Sequence, residues 1–503
     1  MPAPNNAPPA AHRELQRKCP INDLPPELFW HIFESGVSCR NSQKRIDFAV
    51  LVSHVCGKWR DIAISCSFLW TDITITSDTM YDVDSDGQLA IVNTSLLRAR
   101  EFAFRSGVRS LSVRLKLLTI PNFGYLRSGT VIIMDWLPLV LPRIKYLSVH
   151  CDVLEVAWTV INRLRAAPME NLETYKMKFG TTVLSFFPFM PPPPIPRFLF
   201  LARQHEEQFA QVVNNLHPRL TRVTSSGIPV SWSRWSLTRL TSLSINFMAL
   251  HDRPSMDMLK NILTINGETL EKLEIQGAIQ QFGRLPRDAD ELPSNLPRLI
   301  DLTLGYLSQW EAINFFLGFE APALKHLKLC DISRSILAQH WPQHLNNQDF
   351  QNMPALQPFN DFSSTNILEH LVYVWTPQLK RIETLVLEHF RLSPIFSDLF
   401  LQDDDALKQL YEGRVTCLRL RSLVLVNPEK CFIHALNMYP DGADPDDPKN
   451  SSPAPVLTHL FLILLAKEMG PHVLDYLELA TAEQDVEHLL ENIVRLANRS
   501  LAT

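Results

Sequence analysis

The sequence predicts an α/β chain in which a short all-helical domain precedes a long array of parallel strands, with helices or loops returning between them. Three observations carry this expectation. Two stretches near the N-terminus place apolar residues at helical spacing. From about residue 105 onward, an apolar residue, two of any kind, a second apolar, one of any kind and a third apolar recur along the chain. Finally, 503 residues exceed the roughly 250 to 300 at which a single core stops growing, so several domains or a repeat array are required.

The helical part comes first. In DLPPELFWHIFESG, Pro25 and Pro26 suit a first helical turn, where a missing N–H costs nothing, Glu27 favours the positive helix start, and Gly36 is the expected stop. Leu24, Leu28 and Ile32 are spaced by four, as are Phe29 and Phe33, so apolar side chains cover much of the helix girth. A second helical stretch over 45–65 places Val52, Val55, Cys56 and Trp59 at one-face spacing. Leu69 and Trp70 lead into the strand-like TDITIT. The expected organisation is a disordered Pro- and Ala-rich tail at 1–19, a helical domain at 20–70, the strand array at 71–470 and a helical cap at 471–503.

The array is read from triplets such as Ile144/Leu147/Val149, Leu172/Tyr175/Met177, Leu240/Leu243/Ile245, Leu270/Leu273/Ile275, Leu299/Leu302/Leu304 and Leu324/Leu327/Leu329. Ile382/Leu385/Leu387, Leu420/Leu423/Leu425 and Leu457/Leu460/Leu462 continue it, and Val108/Leu111/Val113 is a weaker case. First positions at Leu240, Leu270, Leu299 and Leu324 lie 30, 29 and 25 residues apart, close to the roughly 20 to 29 residues of a leucine-rich repeat. LPRIKYLSV, LPRLIDLTL, APALKHLKL and APVLTHLFL share a proline at a fixed interval before the strand. The reading is therefore an irregular leucine-rich-repeat solenoid, strands on the concave side and helices or loops on the convex side, with insertions near 186–196, 333–365 and 441–450.

Composition excludes several functions. Hydrophobic content of 46% with 20% charged residues is that of a folded protein, and a net charge of −5 offers no positive field to nucleic acid or to an anionic membrane. Eight scattered cysteines without a C-x-x-C read as reduced thiols of a cytoplasmic or nuclear protein rather than as a zinc module. The first twenty residues lack an uninterrupted apolar stretch, and the apolar runs at 131–141 and 456–466 fall short of the roughly 20 residues that span a bilayer, so neither secretion nor a membrane span is expected. No phosphate-cradling glycine motif occurs. His340 and His344 are interrupted by Pro342, and Asp403 to Asp405 lack the alternation of a calcium loop. No catalytic residue, metal or cofactor is therefore expected.

Three blocks, LPPELFWHIF at 24–33, VSHVCGKWRDIA at 52–63 and LWTDITI at 69–75, resemble the F-box in the form common among fungal F-box proteins with degenerate repeats. Phe68 replaces the proline often found before the Leu-Trp pair, and Gly57 replaces a charged or polar residue. The resemblance implies docking onto a Skp-type adaptor and through it a cullin, which makes the chain the non-catalytic substrate receptor of a ubiquitin ligase. Its docking candidates are Leu24, Pro25, Leu28, Ile32, Phe33, Val52, Val55, Cys56 and Trp59. The sequence leaves open whether Trp59 and Trp70 dock or pack inward. The alternative function is a leucine-rich-repeat scaffold or inhibitor without ligase work.

Alternation along each strand names the outward positions, where a protein substrate would sit. These are Ser242 and Ser244, Lys272 and Glu274, Asp301 and Thr303, then His326 and Lys328, a polar face of mixed charge. Further on they become Thr384 and Val386, Ser422 and Val424, then His459 and Phe461, so the face is expected to turn apolar unless the C-terminal cap covers it.

Overall fold

The computed structural model describes residues 20–38, 42–77, 82–83, 89–90, 94–119, 123–164, 167–180, 217–228, 232, 237–248, 253–279, 293–306, 309–332, 381–388, 422–426 and 476–480. The expected tail at 1–19, the insertions at 186–196, 333–365 and 441–450, and the expected rung at Leu457, His459 and Phe461 lie outside them. The chain is mixed α/β and divides into two compact units, Met1–Val160 with Ala167–Leu172, and Ile161–Ala166 with Glu173–Thr503.

The first unit opens with three helices, α1 (Pro26–Ser38), α2 (Ser42–Ser53) and α3 (Gly57–Ser65). Two boundaries differ from the sequence reading. Helix α1 runs past Gly36 to Ser38, whose hydroxyl donates to the Glu34 carbonyl at 2.9 Å and closes the last turn. The stretch at 45–65 is two helices, because Cys56 is extended (φ −160°, ψ 174°). The carbonyl of Ser53, which loses its helical donor at the break, accepts Arg60 Nε at 3.0 Å instead.

Strands β1 (Asp72–Thr76), β4 (Leu111–Leu117) and β5 (Ile144–Cys151) follow as a parallel ladder, with a short antiparallel pair, β2 (Asp82–Val83) and β3 (Leu89–Ala90), after β1. Ile73 pairs with Val113 and Val113 with Leu147, and all three are buried. Helix α4 (Thr94–Arg105) packs on β1 through Leu96, Ala99, Phe102 and Ala103, and α5 (Phe123–Trp136) and α6 (Leu154–Leu164) occupy the later crossovers. Val108, expected as a buried strand residue, instead lies exposed in the turn before β4.

The second unit is a longer parallel ladder in the order β6 (Thr174–Phe179), β7 (Arg222–Ser226), β8 (Ser242–Asn246), β9 (Lys272–Gln276), β11 (Asp301–Tyr306), β13 (His326–Asp331), β14 (Thr384–Glu388), β15 (Ser422–Val426) and β16 (Tyr476–Ala480). A small side pair, β10 (Ser294–Asn295) and β12 (Phe319–Glu320), brackets the crossover at 309–318. Leu243, Leu273, Leu302, Leu327 and Leu385 fall in one buried row, and Ile245, Ile275, Leu304, Leu329 and Leu387 in the next. Each strand entry repeats one arrangement: the carbonyls of Thr221, Thr241, Glu271, Ile300 and Lys325 each accept two successive N–H groups of the next strand. Strand β16 corrects the expected C-terminal helix over 476–480, where YLELA alternates and sets Leu477 and Leu479 opposite Leu423 and Leu425.

Two buried polar features hold the crossovers. The Asn266 amide accepts from Leu240 N (2.9 Å) and donates to the carbonyls of Leu237 (3.1 Å) and Ile262 (2.9 Å), which ends the helix Met256–Asn266 against the preceding rung. Arg253, buried, donates to the Met248 and Ile279 carbonyls and pairs with the equally buried Glu311 at 2.9 Å. Desolvating two charges costs more than their mutual attraction returns unless further hydrogen bonds compensate, and Arg253 makes two of these through Nε and Nη1. Glu311→Leu is expected to destabilise the second unit by about 3 to 5 kcal/mol, and Arg253→Met with Glu311→Leu to recover most of that loss. Denaturant unfolding of the two variants checks this, and equal losses in both would refute the pairing argument.

Candidate functional site: the helical surface and the ladder face

Phe29 and Phe33, four apart on α1, are fully buried and meet Trp59 of α3 at ring distances of 5.2 and 5.5 Å. Phe48 of α2 closes the cluster on Phe33 at 6.4 Å. Lys58 donates to the Leu24 carbonyl at 3.1 Å and stands over the Phe29 ring, so the start of α3 is tied to the entry of α1. This aromatic core consumes one stripe of α1. A neighbouring stripe, Leu28 and Ile32, stays 45% and 42% exposed, and Val55 before α3 is 54% exposed.

The docking candidates therefore separate. Leu28, Ile32, Val55 and Pro25 are exposed, Leu24, Cys56 and Trp59 are half-buried, and Phe33 and Val52 are buried. Phe33 and Val52 are core residues rather than docking residues: their helical spacing matches that of exposed positions, but Phe33 lies inside the aromatic cluster and Val52 is buried. Trp59 packs inward on its two phenylalanines while keeping part of its surface outside. Ile21, Trp30, Leu51 and Ile64 are exposed apolar residues that the sequence reading passed over. Leu51 and Val55 do stand four apart, a signal that the search for one continuous face in 45–65 obscured.

Helices α1 to α3 are fastened to the sheet of the same unit by two buried residues. Trp70 donates its indole N–H to the Ala63 carbonyl at 2.9 Å, meets Phe102 edge-on at 4.9 Å and lies under Arg105. That places Trp70 firmly inward. Asp72 of β1 receives Arg114 of β4 at 2.9 Å and Arg45 of α2 at 3.4 Å, and Arg114 in turn lies over the Tyr146 ring of β5.

On the ladder of the second unit the outward positions form polar networks. Lys272 pairs with Asp301 and Lys328 with Glu388, each at 2.7 Å. Glu274 accepts Ser244 Oγ (3.2 Å), Asn246 Nδ2 (3.0 Å) and Gln276 Nε2 (2.7 Å), donors that carry no charge. Ser242 and Thr303 are half-buried and His326 is exposed beside them. Asn246, Gln276 and Glu388, the third outward residues of their strands, were missed because the reading stopped at two per strand. The expected apolar end is interrupted: Thr384 pairs with Ser422 and Val386 with Val424, but the next partner of Val424 is Glu478 of β16, and Phe461 lies outside the described residues.

Burial pushes the thiols of Cys66 and Cys151 up to about 11 and about 12, and drives that of Cys330 further in the same direction. A raised pKa empties the thiolate form at neutral pH, which removes the nucleophile. Among the described residues no group of three or more His, Cys, Asp or Glu is gathered to hold a metal ion, and no helix is long and apolar enough to cross a membrane. His340, His344 and Asp403 to Asp405 lie outside the described residues. Of the four described cysteines, half-buried Cys56 is expected to be alkylated by iodoacetamide at pH 8 well before Cys66, Cys151 and Cys330. Peptide mass spectrometry over a time course checks the order, and early labelling of Cys330 would contradict it.

No protein-family model matches the chain, and no curated protein matches it either.

Proposed function

We propose that the chain is a substrate receptor of the F-box type: its helical domain docks on a Skp-type adaptor, which links it to a cullin, and its ladder is a leucine-rich-repeat solenoid that binds a protein substrate. One observation carries this reading. The α1–α3 core is already filled by Phe29, Phe33, Phe48 and Trp59, yet Leu28 and Ile32 remain outside it on one stripe of α1. Apolar side chains that a packed domain leaves outside favour a partner's apolar groove. Leu24, Pro25, Val55, Cys56 and Trp59 flank that stripe as the remaining docking residues, whereas Phe33 and Val52 support the surface from beneath.

The in-register leucine rows, with β8, β9, β11 and β13 beginning 30, 29 and 25 residues apart at Ser242, Lys272, Asp301 and His326, support the solenoid reading. Lys272, Glu274, Asp301, Thr303, His326 and Lys328 are the substrate candidates on its outward face. In such a receptor catalysis is by proximity, with no reacting group on this chain, and the work is done in the cytoplasm or nucleus.

The test is co-purification with the adaptor and a cullin. Leu28→Asp with Ile32→Asp is expected to weaken adaptor binding about a hundredfold or more while the thermal unfolding of the chain is unchanged, because both side chains are exposed before docking. Phe33→Asp, in contrast, is expected to unfold the helical domain itself. Wild-type adaptor binding by the double variant would reject the F-box reading. Recovery of adaptor without cullin would instead favour a scaffold or inhibitor.

A further inference from the structure

Helix α4 carries a second apolar surface. Leu97, Phe104 and Val108 are 60%, 81% and 96% exposed, the last two more so than any docking residue on α1. Leu97 and Phe104 stand seven residues apart, two turns along one stripe. Val108 follows in the turn after α4, where Gly107 takes a left-handed φ of +59° and the Gly107 and Arg109 N–H groups close on the Phe104 and Ser106 carbonyls. The opposite side of the helix is fully used, since Leu96, Ala99, Phe102 and Ala103 are buried in its own unit.

On α4 and in the turn after it, arginines outnumber carboxylates around this stripe. Glu101, on the stripe itself, is taken by Arg105 at 2.7 Å. Arg105 also covers the Trp70 ring, Arg109 donates to Ser67, and Arg143 donates to the Ala103 and Arg109 carbonyls, so these three guanidinium groups serve the fold. Arg98 and Arg100 are exposed, with no ion-pair partner among the described residues. A row of large apolar side chains rimmed by two exposed cations complements a surface of apolar anchors rimmed by carboxylates. Two turns of α4 separate Leu97 from Phe104 by roughly 10 Å, the repeat at which a second helix presents its positions i and i+7.

We propose that this face of α4 docks an acidic amphipathic helix of a partner protein, with Leu97, Phe104 and Val108 receiving its apolar residues and Arg98 and Arg100 pairing with its carboxylates. None of the α1–α3 docking candidates belongs to this surface.

The experiment uses the full chain and two fluorescein-labelled helical peptides with leucine at i, i+4, i+7 and i+11, one flanked by glutamate and one by lysine. Fluorescence anisotropy is expected to show the acidic peptide binding at least about tenfold more tightly than the basic one. Leu97→Ser with Phe104→Ser should weaken that binding about tenfold or more without lowering the melting temperature, because the replaced side chains are exposed. Arg98→Glu with Arg100→Glu should reverse the preference toward the lysine peptide. Equal binding of the two peptides, binding of neither, or affinities unmoved by the variants would overturn the proposal. It would also fall if phosphatidylserine vesicles bound in place of the peptides, or if sedimentation showed self-association that Leu97→Ser with Phe104→Ser removes.

Discussion

Everything in the second unit depends on strands that pair in parallel without slipping. A shift of one residue would turn every leucine of a strand to the outward face, so Leu243, Leu273, Leu302, Leu327 and Leu385 share a row only because the register is held at each strand entry. The paired N–H groups on the Thr221, Thr241, Glu271, Ile300 and Lys325 carbonyls do that holding. With register set by the entry, the length of the return path matters little. Consecutive ladder strands begin 25 residues apart at Asp301 and His326, but 58 apart at His326 and Thr384, and the pairing is the same. Loop closure costs only about 0.6 kcal/mol for each doubling of length, which is why irregular spacing is tolerated.

The first unit solves a different problem. Three helices of 13, 12 and 9 residues cannot build a large core, and theirs joins Phe29, Phe33, Phe48 and Trp59 to only a few buried aliphatic residues, Ile46, Ala49, Val52, Ile62 and Ala63. Three such helices need support from the rest of their unit. Trp70 supplies it by reaching back to Ala63 and forward to Phe102, and Asp72 by drawing α2 and β4 onto one carboxylate. Removing either arginine alone would leave Asp72 buried with less compensation, so the three residues act as one joint between the α1–α3 helices and the sheet.

How far the sequence could be read follows from these constraints. The strands were legible because period-two alternation and a recurring proline lead-in both mark them, and the triplets from Leu240 to Leu387 fall on buried positions. The helices were legible as apolar stretches, but their internal division was not. Val52, Val55, Cys56 and Trp59 keep helical spacing across a break that a single extended residue, Cys56, creates. Spacing also identifies an apolar face without saying what covers it, which is why buried Phe33 and exposed Ile32, neighbours in sequence, entered the docking set together. Strand β16 was hidden for the opposite reason. YLELA is short and lies inside a longer helix-like pattern, and only pairing with β15 selects the extended form.

The two units also present different kinds of surface. On the ladder face, Lys272 is answered by Asp301 and Lys328 by Glu388, while Glu274 is held by three neutral donors. Exposed pairs of this kind add little stability, about 0 to 1 kcal/mol each, so exchanging them for a partner's charges costs little and can favour the correct partner over a wrong one. The α1–α3 region instead exposes uncharged side chains such as Leu28, Ile32 and Val55, which gain only by leaving water, about 25 cal/mol for each Å² covered. Exposed apolar stripes reward the area that is covered, whereas paired charges reward sign and position.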